Sequence, residues 1–315
     1  MCTAVSLVRG GRHYFGRTLD TPHPYGAQAV VMPRRFPLRF SEMGAVDRHY
    51  AVIGMAAVED GRPLLFDAAN EHGLCMAALA FPGCARYFPA VPDKDNFAPH
   101  ELMPWVLSQC VSAAQARAML ARVSVMDKPF SADMPNMPLH WIIADAHEAF
   151  AAESTQDGLL LTDNPVRVMT NSPALPFHLQ GLRMYTALSP AQPQPRFRPG
   201  MPLGLYSLGM GALGLPGDLS SHSRFVRAAF LLHHSVCGDA PSACIRQLQH
   251  VLGCVAQPRG ATLMDDGQYE YTCYASCIDA AQGVLHVSPY DGNGLALSLR
   301  DAEPDGETLV CREMA

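Results

Sequence analysis

Apolar and polar positions alternate along Thr3–Val8 and His13–Thr18, on either side of Gly10-Gly11. A period of two flanking a Gly-Gly turn predicts a β-hairpin. Further strands are expected at Tyr50–Met55, Leu64–Phe66 and Cys75–Phe81, with Gly73 supplying the turn before the last. The period then changes. Leu102, Met103, Val106 and Leu107 fall on one helical face within Pro99–Cys110, and Pro99 suits a first helical turn. Ser112 can cap a second helix over Ala113–Val123. Strand patterns return at Leu139–Ala144, Glu148–Glu153, Gly158–Thr162 and Val166–Thr170. The Pro-rich residues 189–204 read as a surface loop, because composition is the same on both sides. Helices are expected at Ser223–Ser235, where Phe225, Ala229 and Leu232 share a face, and at Ser242–Val255. Strands follow near Tyr269–Ile278, Gly283–Val287 and Leu295–Leu299, then an irregular acidic tail. Strands, helices, strands, helices and strands in that order predict an α+β fold with antiparallel sheets and segregated helix pairs. No repeat or linker divides the chain, so residues 1–315 are read as a single domain.

Composition narrows the function classes. The 315 residues are 49% hydrophobic and 17% charged, ample for a globular core. The net charge of −6, with 23 Lys+Arg against 29 Asp+Glu and no basic run, excludes nucleic acid as a partner. No apolar run is long enough to span a membrane. Residues 1–20 hold no apolar core of a secretory signal, so processing is expected to stop at removal of Met1, with residence in the cytoplasm. The ten cysteines form no regular framework, and most sit among apolar neighbours as small core residues. Cys273 and Cys277 lie in a strand pattern with no second Cys or His pair at zinc spacing. No metal site is expected.

The candidate chemistry begins at Met1-Cys2-Thr3. Once Met1 is removed, one residue carries both a thiol and an α-amino group. Such groups ordinarily titrate near ~8.5 and ~8, so either can exchange a proton with the other at neutral pH. That is the N-terminal-nucleophile arrangement for covalent catalysis; the alternative is an inert, frayed terminus. In Phe15-Gly16-Arg17-Thr18-Leu19-Asp20, an arginine can stabilise a thiolate and a carboxylate can orient an amine. Arg17 and Asp20 could equally form a surface ion pair. Asn171, before Ser172-Pro173, could donate to an oxyanion or close an Asx turn. Arg224 falls in the first turn of its helix, where the dipole disfavours a cation. That placement calls for an anionic partner outside the helix, unless the side chain is simply solvated.

Taken together, these segments resemble the choloylglycine hydrolase family, the cysteine N-terminal-nucleophile amidases that include bile salt hydrolases and penicillin V acylases. The resemblance runs from Met1 to about residue 300. It rests on Met1-Cys2-Thr3, Phe15-Gly16-Arg17-Thr18-Leu19-Asp20, Asn70-Glu71-His72-Gly73-Leu74, Phe81-Pro82-Gly83, Leu139-His140-Trp141, Thr170-Asn171-Ser172-Pro173, and Gly214-Leu215-Pro216-Gly217-Asp218 followed by Ser223-Arg224-Phe225. It implies a four-layer αββα sandwich of two antiparallel sheets (the N-terminal-nucleophile hydrolase fold), commonly a homotetramer, that hydrolyses linear amide C–N bonds without a cofactor. By motif position Cys2 resembles the nucleophile and Asp20 the partner of its amine. Arg17 and Arg224 resemble the cations beside the thiol, and Asn171 an oxyanion donor.

Ala80 departs from the pattern, since bile salt hydrolases typically carry Asn there and penicillin V acylases often Tyr. A backbone N–H at Ala80 could still serve the oxyanion. The expected substrate is a small-molecule amide with a bulky apolar acyl group, held by Leu19, Leu79, Ala80, Phe81 and the Met126–Met137 segment. Conjugated bile salts lead; penicillin V and acyl-homoserine lactones are alternatives, as is a non-catalytic binding protein on the same fold.

Overall fold

A computed structural model describes residues 1–131, 134–201 and 203–314. Two antiparallel sheets stack face to face and each carries helices on its outer face. In the first sheet the strand order is Val168–Met169, Cys2–Arg9, Arg12–Thr21, Tyr269–Asp279, Val284–Pro289, Leu295–Ser298, with Thr262–Leu263 pairing alongside Tyr269–Asp279. In the second the order is Gly158–Asp163, Ala149–Thr155, Leu139–Ala144, Cys75–Ala80, Arg62–Asn70, Val52–Glu59, Gln28–Met32, Val310–Glu313. Helices Ser221–His233 and Pro241–Gly253 pack on the first sheet; Leu102–Gln109 and Ala113–Leu120 pack on the second. This is the αββα sandwich. Among the described residues, no helix is long and apolar enough to cross a membrane.

Burial on both faces explains why strand alternation is weak in places. Cys2 through Leu7 are all buried, including Thr3 and Ser6, because helices cover one face of the sheet and the second sheet covers the other. One apolar cluster fills the space between sheets and under Ser221–His233 and Pro241–Gly253. A second lies beneath Leu102–Gln109 and Ala113–Leu120. Ser112 does cap Ala113–Leu120, accepting from the Gln115 N–H.

Several elements depart from the sequence expectation. The short strands Leu38–Phe40, Gly44–Val46, Asp95–Phe97 and Val123–Val125 have no counterpart in it, and the last begins where the helix read over Ala113–Val123 has already ended, at Leu120. Gln28–Met32 is a buried strand, and the tail expected to be irregular returns as Val310–Glu313 to pair with it. Leu175–Gly181 is a helix. Its start is stabilised by Glu153, whose carboxylate accepts from Leu175 N–H at 3.1 and 3.2 Å. A cap supplied from another strand leaves no local signature.

The amino-terminal hairpin sets the site. Its register places Cys2 opposite Leu19 and Ala4 opposite Arg17. Gly16 permits the third strand to close in: a Cβ there would stand 2.6 Å from the Ser276 carbonyl oxygen. Arg17 is thereby held at the centre of the sheet.

Candidate active site

Cys2 and Arg17 meet between the sheets. Cys2 is 3% exposed, and Arg17 Nη2 donates to its Sγ at 2.6 Å. The other arm of the guanidinium is anchored by carbonyls of the second sheet: Nη1 donates to Phe66 O at 2.9 Å and Ala78 O at 2.8 Å. Those carbonyls are free because the ladder between Arg62–Asn70 and Cys75–Ala80 ends at Asp67 opposite Ala77. Asp67 lies 3.9 Å from Arg17 Nε and accepts from Tyr274 Oη at 2.9 Å and Ser276 Oγ at 2.6 Å. Burial works against the Arg17 charge, but the Cys2 sulfur, Tyr274, Asp67 and Asp20 outweigh it and raise its pKa.

Asn171 and Arg224 hold the backbone of Cys2. The Cys2 N–H donates to Asn171 Oδ1 at 2.8 Å, and Arg224 Nη2 donates to the same oxygen at 2.6 Å. Arg224 Nη1 donates to Cys2 O and Thr3 Oγ1, each at 2.6 Å, and Nε to Leu219 O at 2.9 Å. The sequence called for an anionic partner outside the helix; the hydrogen-bond partners are instead neutral oxygens, chiefly Cys2 O and Asn171 Oδ1, with the Asp20 carboxylate 3.9 Å away. Burial lowers the Arg224 pKa against the pull of Asp20 and Cys2. Of the two arginines, Arg17 is the one with a hydrogen bond to the sulfur.

The Asp20 carboxylate is fully buried. It accepts from Thr272 Oγ1 at 2.6 Å and Thr18 Oγ1 at 3.1 Å, with Gln257 Nε2 at 3.5 Å and Arg224 Nη1 at 3.9 Å. With Met1 in place, the chain's amine donates to the Asp20 backbone carbonyl and pairs with Glu270. Burial lowers that amine's pKa.

Ala80 contributes through its backbone. Asn171 Nδ2 donates to Ala80 O at 2.8 Å. In an antiparallel strand the N–H and C=O of one residue point to the same edge, and alternate residues to opposite edges. Phe81 N–H bonds across to Pro138 O, so the Ala80 N–H faces the other way, toward the edge that holds Arg17 and Asn171.

A largely apolar cavity of about 440 Å³ opens at Cys2. Ala78, Ala80, Leu139 and Trp141, which share one sheet face, form part of its wall, with Leu19 beside the sulfur. Phe130, Met134, Pro135 and Met137 line it from the expected segment; residues 132 and 133 of that segment lie outside the described residues. Phe130 is gripped by His100, edge-on at 5.2 Å, and by the Arg62 guanidinium 4.2 Å from its ring centre. Leu79 and Phe81 do not line the cavity. The period of two turns Leu79 into the core between the sheets, and Phe81 stacks on His140 at 4.2 Å. Met126 is buried and also stands apart from the cavity.

The sequence reading missed Asp67, Gln257, Glu270 and Thr272. Asp67 had a usable signal: a lone carboxylate inside the apolar run Leu64-Leu65-Phe66-Asp67-Ala68-Ala69. The others acquire meaning only when the Tyr269–Asp279 strand pairs with Arg12–Thr21.

The sequence model of the linear amide C–N hydrolases, choloylglycine hydrolase family, matches residues 2–311. A bile salt hydrolase/transferase of Lactiplantibacillus plantarum is 42% identical over 311 residues, covering 98% of this chain and 96% of that protein. A conjugated bile acid hydrolase of Lactobacillus acidophilus is 35% identical, covering 91% of this chain and 92% of its own. The crystal structure of a mutant conjugated bile acid hydrolase from Clostridium perfringens superposes with a TM-score of 0.93 at 31% identity, covering 100% of this chain and 97% of that one. A penicillin V acylase from Agrobacterium tumefaciens shares the fold, with a TM-score of 0.76 at 18% identity, over 99% of this chain and 90% of that one.

Proposed function

The chain belongs to the choloylglycine hydrolase family of linear amide C–N hydrolases, and on that premise we propose that it cleaves conjugated bile salts with Cys2 as an amino-terminal nucleophile. The observation that carries this reading is the Cys2 sulfur, bonded to Arg17 at 2.6 Å on the wall of an apolar cavity of about 440 Å³. A cavity of that size and lining suits a bulky apolar acyl group.

After Met1 is removed, the Cys2 nitrogen becomes an amine able to accept the thiol proton. The sulfur attacks the amide carbonyl carbon, and the carbonyl π pair moves onto oxygen. The second N–H of Asn171 Nδ2 and the Ala80 N–H stabilise that oxyanion. The amine then passes the proton to the leaving nitrogen as the C–N bond breaks, leaving a thioester. Water attacks the thioester, gives a proton back through the amine, and releases the acid and the thiol. Arg17 holds the sulfur. Arg224 and Asn171 fix the Cys2 backbone, and the buried Asp20 carboxylate, itself held by Thr272 and Gln257, is the anionic partner of the amine.

Leu19 and Ala80 form the acyl pocket with Phe130, Met134, Pro135 and Met137. A second reading, acylase activity on penicillin V or acyl-homoserine lactones, draws on Ala80, which offers no side-chain donor where bile salt hydrolases of the family carry Asn. We read residues 1–315 as one catalytic unit that works in the cytoplasm as a homotetramer. The cysteines are free, as a reducing compartment requires. Tyr206 and Leu208, 87% and 91% exposed, mark an apolar surface loop suited to a second copy. The test is a panel of glycocholate, taurocholate, penicillin V and a long-chain acyl-homoserine lactone. The reading expects the highest kcat/KM on a bile salt; a preference for either other class would replace the substrate.

A further inference from the structure

Asn171 is fixed by its backbone as well as its side chain. Its N–H donates to Ser221 Oγ at 3.0 Å, and its carbonyl accepts from His178 Nε2 at 2.9 Å. A carbonyl oxygen has no hydrogen to give, so His178 carries its proton on Nε2, and in a neutral ring Nδ1 is then an acceptor. That Nδ1 lies 3.3 Å from Nδ1 of His222. Two ring nitrogens in contact need one proton between them, so His222 donates from Nδ1. Burial lowers the pKa of both imidazoles, which keeps them neutral near pH 7.

Packing keeps the pair in place. The two imidazoles lie edge to edge in nearly one plane, ring centres 5.5 Å apart with 17° between their planes, and Phe225 stacks against His178 at 5.0 Å. A Cβ on Gly181 would come 2.1 Å from His222 Cε1, so the bare glycine is what lets His222 lie there. Neither histidine contacts the cavity that holds Cys2.

We propose that His178, its Nδ1 engaged by His222, is a positioning residue that clamps the Asn171 peptide and so aims the Asn171 amide at the reaction centre. This rests on the role given to Asn171 above. The Asn171 side chain meets Cys2 N, Arg224 and Ala80 O at 2.6–2.8 Å, and a loose peptide would blur all three contacts. Misplacing a reacting group by about 1 Å costs on the order of 100-fold in rate.

The test compares His178→Phe, His178→Gln and His222→Phe with the parent enzyme, reading kcat, KM and the melting transition. Phe keeps the stacking and removes the donor; Gln restores an N–H. His178→Phe should lower kcat about 10- to 100-fold with KM within about threefold, since aim is lost and not binding. His178→Gln should recover most of that loss, and His222→Phe should fall between. Nitrogen-15 NMR of the unmodified protein should show His178 protonated at Nε2 and His222 at Nδ1. A His178→Phe enzyme with parental kcat, or a folded His178→Gln enzyme as slow as His178→Phe, overturns the clamp. So does finding His178 protonated at Nδ1, which also decides the matter should His178→Phe fail to fold. A parent that turns over no amide would instead count against the proposed reaction, leaving the NMR assignment to judge the clamp.

Discussion

Replacing Asn171 by Ala separates catalysis from architecture. The substitution removes the Oδ1 that accepts from Cys2 N and Arg224, and the Nδ2 that donates to Ala80 O. Arg224 keeps its bonds to Cys2 O, Thr3 Oγ1 and Leu219 O, so one of its donors is stranded. Ala80 borders the cavity, where water can reach its carbonyl. With about 1–3 kcal/mol for each orphaned group (Cys2 N, Arg224 Nη2 and Ala80 O), the low end applying at Ala80, stability should fall by roughly 3–7 kcal/mol. Loss of one oxyanion donor should lower kcat by about 10²–10³. KM should move less than about threefold, because that bond strengthens only in the transition state. Asn171→Asp is the isosteric control. It keeps an acceptor for Cys2 and Arg224 but turns a second acceptor toward Ala80 O, and kcat should fall just as far. The assay is steady-state hydrolysis of a conjugated bile salt, with urea unfolding of each variant. A kcat within threefold of the parent in either variant, with the protein folded, would refute the oxyanion role.

Three further outcomes follow from the same geometry. Cys2→Ser should lose at least about 10³-fold in kcat while keeping its fold, as judged by hydrolysis and circular dichroism; retained turnover would remove Cys2 from the chemistry. Ala80→Tyr places a ring in the acyl cavity, where overpacking of about 1–3 kcal/mol should lower kcat/KM for bile salts by roughly 5- to 150-fold, with less effect on a slimmer acyl chain. Unfolding midpoints against pH should expose His13, which accepts from Ser6 Oγ, donates to Gly73 O and has its pKa pushed by burial from 6.5 to about 4. Its folded pKa lies below the unfolded one, so its contribution is complete above pH 6.5 and declines as pH falls toward 4. The loss approaches about 3 kcal/mol, and a folded His13→Gln protein should lack that part of the acid sensitivity.

Local patterns carried much of the fold. The amino-terminal hairpin, the Ser112 cap and the helix bearing Arg224 were legible because hairpins and caps are written within a few residues. Val310–Glu313 was not, since its partner Gln28–Met32 lies at the far end of the chain and the strand is short and largely exposed. At the site, Arg17 and Arg224 could be singled out as charges in places a core does not call for. What each touches could not: one grips the sulfur and the other the carbonyl of the same residue. Leu79 and Phe81 were assigned to the pocket by nearness in sequence to Ala80. In a strand, immediate neighbours face away from one another, and Ala78 took the place expected of them.

The central claim is that the free amine of Cys2 is the proton acceptor for its own sulfur. Two chains released from fusions without added residues, one starting at Met1 and one at Cys2, test it directly once mass spectrometry has fixed each terminus. With Met1 retained, the Cys2 nitrogen is an amide bonded to Asn171 and cannot take a proton. The chain starting at Cys2 should turn over a conjugated bile salt, and the Met1 chain should be slower by about 10²-fold or more. Equal kcat, with Met1 still attached when the assay ends, would contradict it.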